Sequence, residues 1–338
     1  MATMTHDAAR TAFTPRLATG IPLALLSAAS FGLSGSLAKG LMAAGWTAGS
    51  AVLARVTIAA LVLAVPGIMA LRGRWHLLLR GLGTIVAYGL FAVAGAQLFY
   101  FMAVQSLDVG IAMLIEYLAP VAVVLWLWAR HGHRPTKLTT VGAVIAGAGL
   151  VLLINVFGGA NISIAGIAWA LAAMVGATVY FIISGDASNP LPPVTLAAAG
   201  LAVAAAGLAI AAVAGVLPMG ASGGSVQFAS FALPVWLTVL VLGTITAALA
   251  YVAGIAATRR LGARLGSFVA LTEVLAAAIF AWVLLGEVPA PVQIAGAVLV
   301  LAGVIVVKMG EPTAVAAELT VEPLPVAPPE AGFEAVPA

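Results

Sequence analysis

Ten stretches of about 20 residues run through this 338-residue chain almost without charge. That pattern constrains the fold more than any other feature. A helix needs about 20 apolar residues to cross roughly 30 Å of hydrocarbon. The stretches are 20–41, 48–70, 81–102, 107–129, 138–157, 162–183, 193–215, 232–254, 265–285 and 290–308. Breaks between them carry Gly, Pro, Asn or charge, as in Gly158-Gly159-Ala160-Asn161 and Gly286-Glu287-Val288-Pro289. Continuous runs of this length are helices and not barrel strands, which alternate over about ten residues. Only 7% of residues are charged, and the mean hydropathy is +1.18. An ordinary soluble domain is about a quarter charged and could not cover its surface with so few. The expected fold is therefore all-α: a polytopic membrane protein of ten transmembrane helices.

Charge placement predicts the orientation. Twelve of the 14 basic residues lie in the N-terminal segment, in the second–third, fourth–fifth and eighth–ninth loops, or at the end of span ten. The loops 103–106, 158–161, 216–231 and 286–289 contain no Lys or Arg. The positive-inside rule then puts both termini in the cytoplasm of a multi-pass protein of the cell inner (plasma) membrane. Residues 1–19 form a cytoplasmic tail, its first 16 residues polar and expected to be disordered. Residues 309–338, acidic and Pro-rich with Glu311, Glu318, Glu322, Glu330 and Glu334, read as a second disordered tail.

The two halves, 20–157 and 162–308, share a pattern of a polar turn, a span, a break and a Gly-bearing span. Five spans per half is an odd number, so the second copy sits inverted. Inverted repeats are a recurring basis of alternating-access transporters, with the site at the repeat interface. Gly32 with Gly35, Gly142 with Gly147, and Gly296 with Gly303 are spaced either for close helix approach or for local bending.

Several motifs stand in order across the two halves. Phe31-Gly32 precedes Lys39 in span one, Arg55 lies in span two and Pro120 in span four. Leu284-Leu285-Gly286-Glu287 is followed by Gln293-Ile294-Ala295-Gly296 and Gly303. In these features, over residues 20–308, the chain resembles the EamA-type ten-helix permeases of the drug/metabolite transporter superfamily. Val274 stands where the family often keeps a second proline. The resemblance implies a central cavity lined by both halves and export of small metabolites such as amino acids.

Ionisable groups within spans are costly and mark candidate sites. Lys39 and Arg55 lie near the outer ends of spans one and two. Either they snorkel to the headgroups or they line an external vestibule that binds an anionic group. Glu116 could pair with either cation or act in transport. Glu273 is expected roughly 13 Å deep from the cytoplasmic side, with no opposite charge at its depth. A carboxyl there favours its neutral form and could carry a coupling proton, or simply hydrogen-bond a neighbouring helix. Gln97, Tyr100, Tyr117, Trp169, Tyr180, Thr246, Tyr251 and Thr272 join the two carboxylates as candidate substrate-binding residues, with helix packing as the alternative.

Other classes fare worse. There is no Cys, and His6, His76, His131 and His133 all lie in tails or loops. No catalytic residue, metal site or cofactor is expected, and the chain is not expected to be an enzyme. Scattered basic clusters make no nucleic-acid footprint. The expected partners are a small-molecule substrate and membrane lipid, and Ala- and Gly-rich faces leave a homodimer open. A channel or a non-transporting helical scaffold is the alternative function.

Overall fold

In the computed structural model, residues 4–119, 121–122, 129, 136–153, 163–184, 190–254, 256–257, 260 and 272–310 are described. Among the described residues, ten helices of eight residues or more carry the fold: α1 (Met4–Ala43), α2 (Ala48–Leu71), α3 (Leu82–Val104), α4 (Val109–Glu116), α5 (Lys137–Leu153), α6 (Ile164–Ser184), α7 (Pro193–Val213), α8 (Val235–Gly254), α9 (Thr272–Leu285) and α10 (Pro291–Gly310). In α1, α2, α3, α7 and α8 the helix is long and apolar enough to cross a membrane. The others are shorter, and α5, α6, α9 and α10 adjoin residues outside the described set. Pro120, Trp126, Trp128, His131, His133, Arg259, Arg264 and the acidic tail lie outside it too. The segment expected as a disordered tail differs from that reading, since α1 reaches back to Met4.

Local chemistry sets the helix boundaries. Thr47 caps α2, its side chain accepting from the Ser50 amide and satisfying an otherwise orphan donor. At the far end Arg72 adopts φ 49° and Gly73 φ 81°, a left-handed exit that stops the helix. The α4 helix ends at Glu116. The Leu118 amide bonds back only three residues, to the Ile115 carbonyl, and Leu118 then receives Val121 in the same way. The loop before α8 contains the one sheet among the described residues. Ser225–Gln227 pairs antiparallel with Ala232–Pro234, and the hairpin buries Val226 and Phe228 against Gly40 of α1.

Packing follows a two-fold pattern. α1 packs on α8 and α9, and α6 packs on α3 and α4. α2 meets α8 as α7 meets α3, while α2 pairs with α7 and α5 with α10. Each relation maps onto its counterpart when helix n is exchanged with helix n + 5, the relation expected of a repeated five-helix unit. The third helix of each half also carries a π-helical segment, Tyr88–Gly95 in α3 and Thr244–Leu249 in α8. Such segments widen the hydrogen-bond ladder and leave carbonyls available to other partners.

Glycine sets the closest contacts. A Cβ on Gly142 would lie 2.5 Å from the Val307 amide, and one on Gly149 2.6 Å from the Val300 amide, so α5 and α10 touch backbone to backbone. A Cβ on Gly32 of α1 would likewise lie 2.9 Å from the Ala277 amide on α9. At these positions the small residues serve close approach. Gly147 has open space around it.

Candidate functional site

Four polar side chains on four helices share one depth. Ser36 lies seven residues before the end of α1 and Gln97 seven before the end of α3, while Arg55 and Glu116 lie seven beyond the starts of α2 and α4. At 1.5 Å per residue each sits about 10 Å below the same face of the bundle. Arg55 is 3% exposed and so does not snorkel. Its Nη2 donates to the Thr246 carbonyl at 2.7 Å, in the π segment of α8, and its guanidinium lies 5.6 Å from the Phe101 ring centroid. Arg55 thus ties the first half to the second.

Glu273 makes the reciprocal connection. Tyr117, just past the end of α4, donates its hydroxyl to Glu273 Oε2 at 2.6 Å. Arg55 lies within Coulombic reach of both Glu273 and Glu116. This corrects the expectation that Glu273 meets no opposite charge: α2 enters from one face and α9 from the other, and their charged residues approach in the interior. Glu116 is half-buried, without a hydrogen bond or an ion pair among the described residues. It does not pair with Lys39.

The remaining candidates fall into two groups. Tyr100 and Tyr251 both lie within electrostatic reach of the Arg55 guanidinium, and Gln97 lies beside Tyr251. Phe31 closes on Tyr251 edge-to-face at 5.1 Å. Trp169 stacks on Phe99 at 5.5 Å and Tyr180 meets Tyr88 at 5.8 Å, both along the α3–α6 contact. Thr246 is fully buried, and its hydroxyl bonds back to the Leu242 carbonyl at 2.6 Å, so its carbonyl is the group that reaches Arg55. Thr272 is half-buried at the start of α9, beside Glu273.

Lys39 lies nearer the surface and has partners of its own. Its Nζ donates to Glu287 Oε1 and, at 2.9 Å, to the Leu107 carbonyl, with Asp108 at 3.9 Å. The other Glu287 oxygen accepts from the Val109 amide at 2.9 Å, at the N-terminus of α4. One lysine and one glutamate therefore clamp α1, the α3–α4 turn and the α9–α10 turn. The hairpin loop covers the same face: Trp46 Nε1 donates to the Ser222 carbonyl, Gly220 hydrogen-bonds Ser50, and the Ala229 amide donates to Leu284 at the end of α9. Sequence reasoning noted Glu287 only as part of a motif. Its partner is 248 residues away, and no local spacing signals that pairing.

With this geometry established, comparison with known proteins assigns the family. The EamA-like transporter family matches twice, over residues 18–155 and 164–309, one match for each five-helix half. The chain belongs to the EamA-like transporter family. It is a multi-pass membrane protein of a family of transporters rather than enzymes, built for a lipid environment and a small-molecule substrate. Among solved structures, the crystal structure of a protein that is 22% identical superposes with a TM-score of 0.58, covering 85% of this chain and 96% of that one. That likeness concerns the fold alone. No curated protein matches the chain.

Proposed function

We propose that the chain is a secondary transporter that exports small metabolites, amino acids among them, by alternating access around the Arg55–Glu116–Glu273 cluster. The observation that carries this reading is that the polar contacts in the interior cross between the halves: Tyr117 to Glu273 and Arg55 to Thr246. Groups at a repeat interface are those whose surroundings change when one repeat moves against the other. The Lys39–Glu287 clamp serves as the outer closure, below which Arg55 and the carboxylates bind substrate. Glu273 carries the coupling proton. Its contact with Tyr117 can persist when the carboxyl is neutral, because a protonated carboxyl still accepts a hydrogen bond.

The proposed orientation has both termini in the cytoplasm of the inner membrane and Glu287 and the hairpin outside. The chain has no Cys, so single cysteines report directly on sidedness. A Cys replacing His76 should label only from the cytoplasm, and one replacing Ala221 only from outside. Outside labelling at 76 would contradict the inverted arrangement. The function itself is tested in sealed proteoliposomes. Labelled substrate should exchange against unlabelled substrate and accumulate under an imposed pH gradient. Flux that never saturates would indicate a channel, and a lack of flux for every small metabolite screened would indicate a scaffold.

A further inference from the structure

We propose that Arg55 anchors the carboxylate of a small α-amino-acid-like zwitterion whose ammonium group faces Glu116. The proposal rests on the transporter reading and deepens it. Among the described residues, two cations, Lys39 and Arg55, lie in the half of the spans nearest the hairpin. Lys39 is engaged by Glu287, Asp108 and the Leu107 carbonyl. Arg55 has no carboxylate within 4.0 Å among the described residues, and its Nε has no partner although the residue is 3% exposed. An unmet donor on a buried charged group is costly, and a planar guanidinium suits a carboxylate. The backbone bond to Thr246 and the Phe101 ring hold the guanidinium in place before any ligand arrives.

The surrounding atoms narrow the class. The Tyr100 hydroxyl and Gln97 Oε1 are also buried and unpartnered, the first able to donate and the second only to accept. A ligand here must therefore offer both acceptors and donors. Charge decides between the remaining options. Two carboxyl groups already lie within electrostatic reach of the guanidinium, so a simple anion would add a third acidic group to the cluster. A simple amine would satisfy Glu116 and leave the Arg55 and Tyr100 donors unmet. A zwitterion adds no net charge, meets both needs and leaves Glu273 with Tyr117.

The test is a ligand series on the purified full chain, read as ligand-induced thermal stabilisation. The probes are the common L-α-amino acids, their primary amides, which keep the ammonium but lose the carboxylate, and their des-amino acids, which do the reverse. At least one amino acid should stabilise the wild type, with both of its analogues at least about tenfold weaker, equivalent to about 1.4 kcal/mol. Arg55→Gln should abolish the preference for acid over amide, and Glu116→Gln the preference for acid over des-amino acid. Arg55→Lys keeps the charge and should retain part of the first preference; it decides the matter should Arg55→Gln not fold. Equal binding of acid and amide by the wild type, stabilisation by none of the amino acids, or an undiminished acid preference in the folded Arg55 variants would overturn the proposal. If proteoliposomes then still exchange other small metabolites, the anchor falls and the transporter reading stands. If they exchange none, both fall.

Discussion

Lys39→Met should cost the transporter its ability to close one face, and transport should fall while the fold is retained. The lysine ammonium bonds Glu287 and the Leu107 carbonyl, and Glu287 in turn holds the Val109 amide. Lys39 and Glu287 side chains are 27% and 14% exposed, so the pair is shielded without being fully desolvated. Losing a charged hydrogen bond of this kind costs about 2 kcal/mol, which is roughly a 30-fold shift between closed and open populations. Glu287→Gln should weaken the same closure less, since the amide oxygen can still accept from one donor. Exchanging the two residues, Lys39→Glu with Glu287→Lys, should recover flux beyond either single change. The measurement is initial exchange rate per folded protein for Lys39→Met, Glu287→Gln, the double exchange and its two component single changes. Full transport by purified Lys39→Met at every substrate concentration would remove Lys39 from the mechanism.

Glu273→Gln should separate driven transport from exchange. Gln keeps the size of the side chain and an oxygen for the Tyr117 hydroxyl, so the α4–α9 contact survives. It mimics only the neutral carboxyl. An imposed gradient of about one pH unit is worth about 1.4 kcal/mol per proton, enough for about tenfold accumulation at one proton per substrate. In Glu273→Gln accumulation should fall to about the level without a gradient, while exchange of labelled for unlabelled substrate continues. If the ratio of driven flux to exchange does not change, Glu273 is a packing residue and Glu116 becomes the candidate for coupling.

The helical membrane character was legible in the sequence because its signal is local: long runs of apolar residues. The duplication was legible for the same reason, since each half repeats its order of turns and glycines, and the family match divides at the same point. The interior was legible only in part. Arg55 stands seven residues inside α2, a depth that sequence counting could have found, yet its partner is a backbone carbonyl 191 residues away. The Lys39–Glu287 clamp depends on which helix ends meet, and that is set by the interleaving of the two halves. The π segments of α3 and α8 leave no mark in composition, because neither Pro nor a polar run creates them. The hairpin leaves no sequence signal: its first strand falls in the loop 216–231 and its second, Ala232–Pro234, inside the expected span 232–254, since three residues per strand are too few to stand out even where Val226 and Phe228 alternate with exposed residues.

Alternating access around the cluster is the central claim, and side-specific labelling of a single buried cysteine tests it most directly. Ser36→Cys places the thiol in the polar layer with Arg55, Gln97 and Glu116. An impermeant thiol reagent should reach it from either side of sealed, oriented proteoliposomes. Adding Lys39→Met should raise the outside rate and lower the inside rate, because the two openings compete for one population. Reactivity from one side alone, unchanged when Lys39 is replaced, would contradict the account.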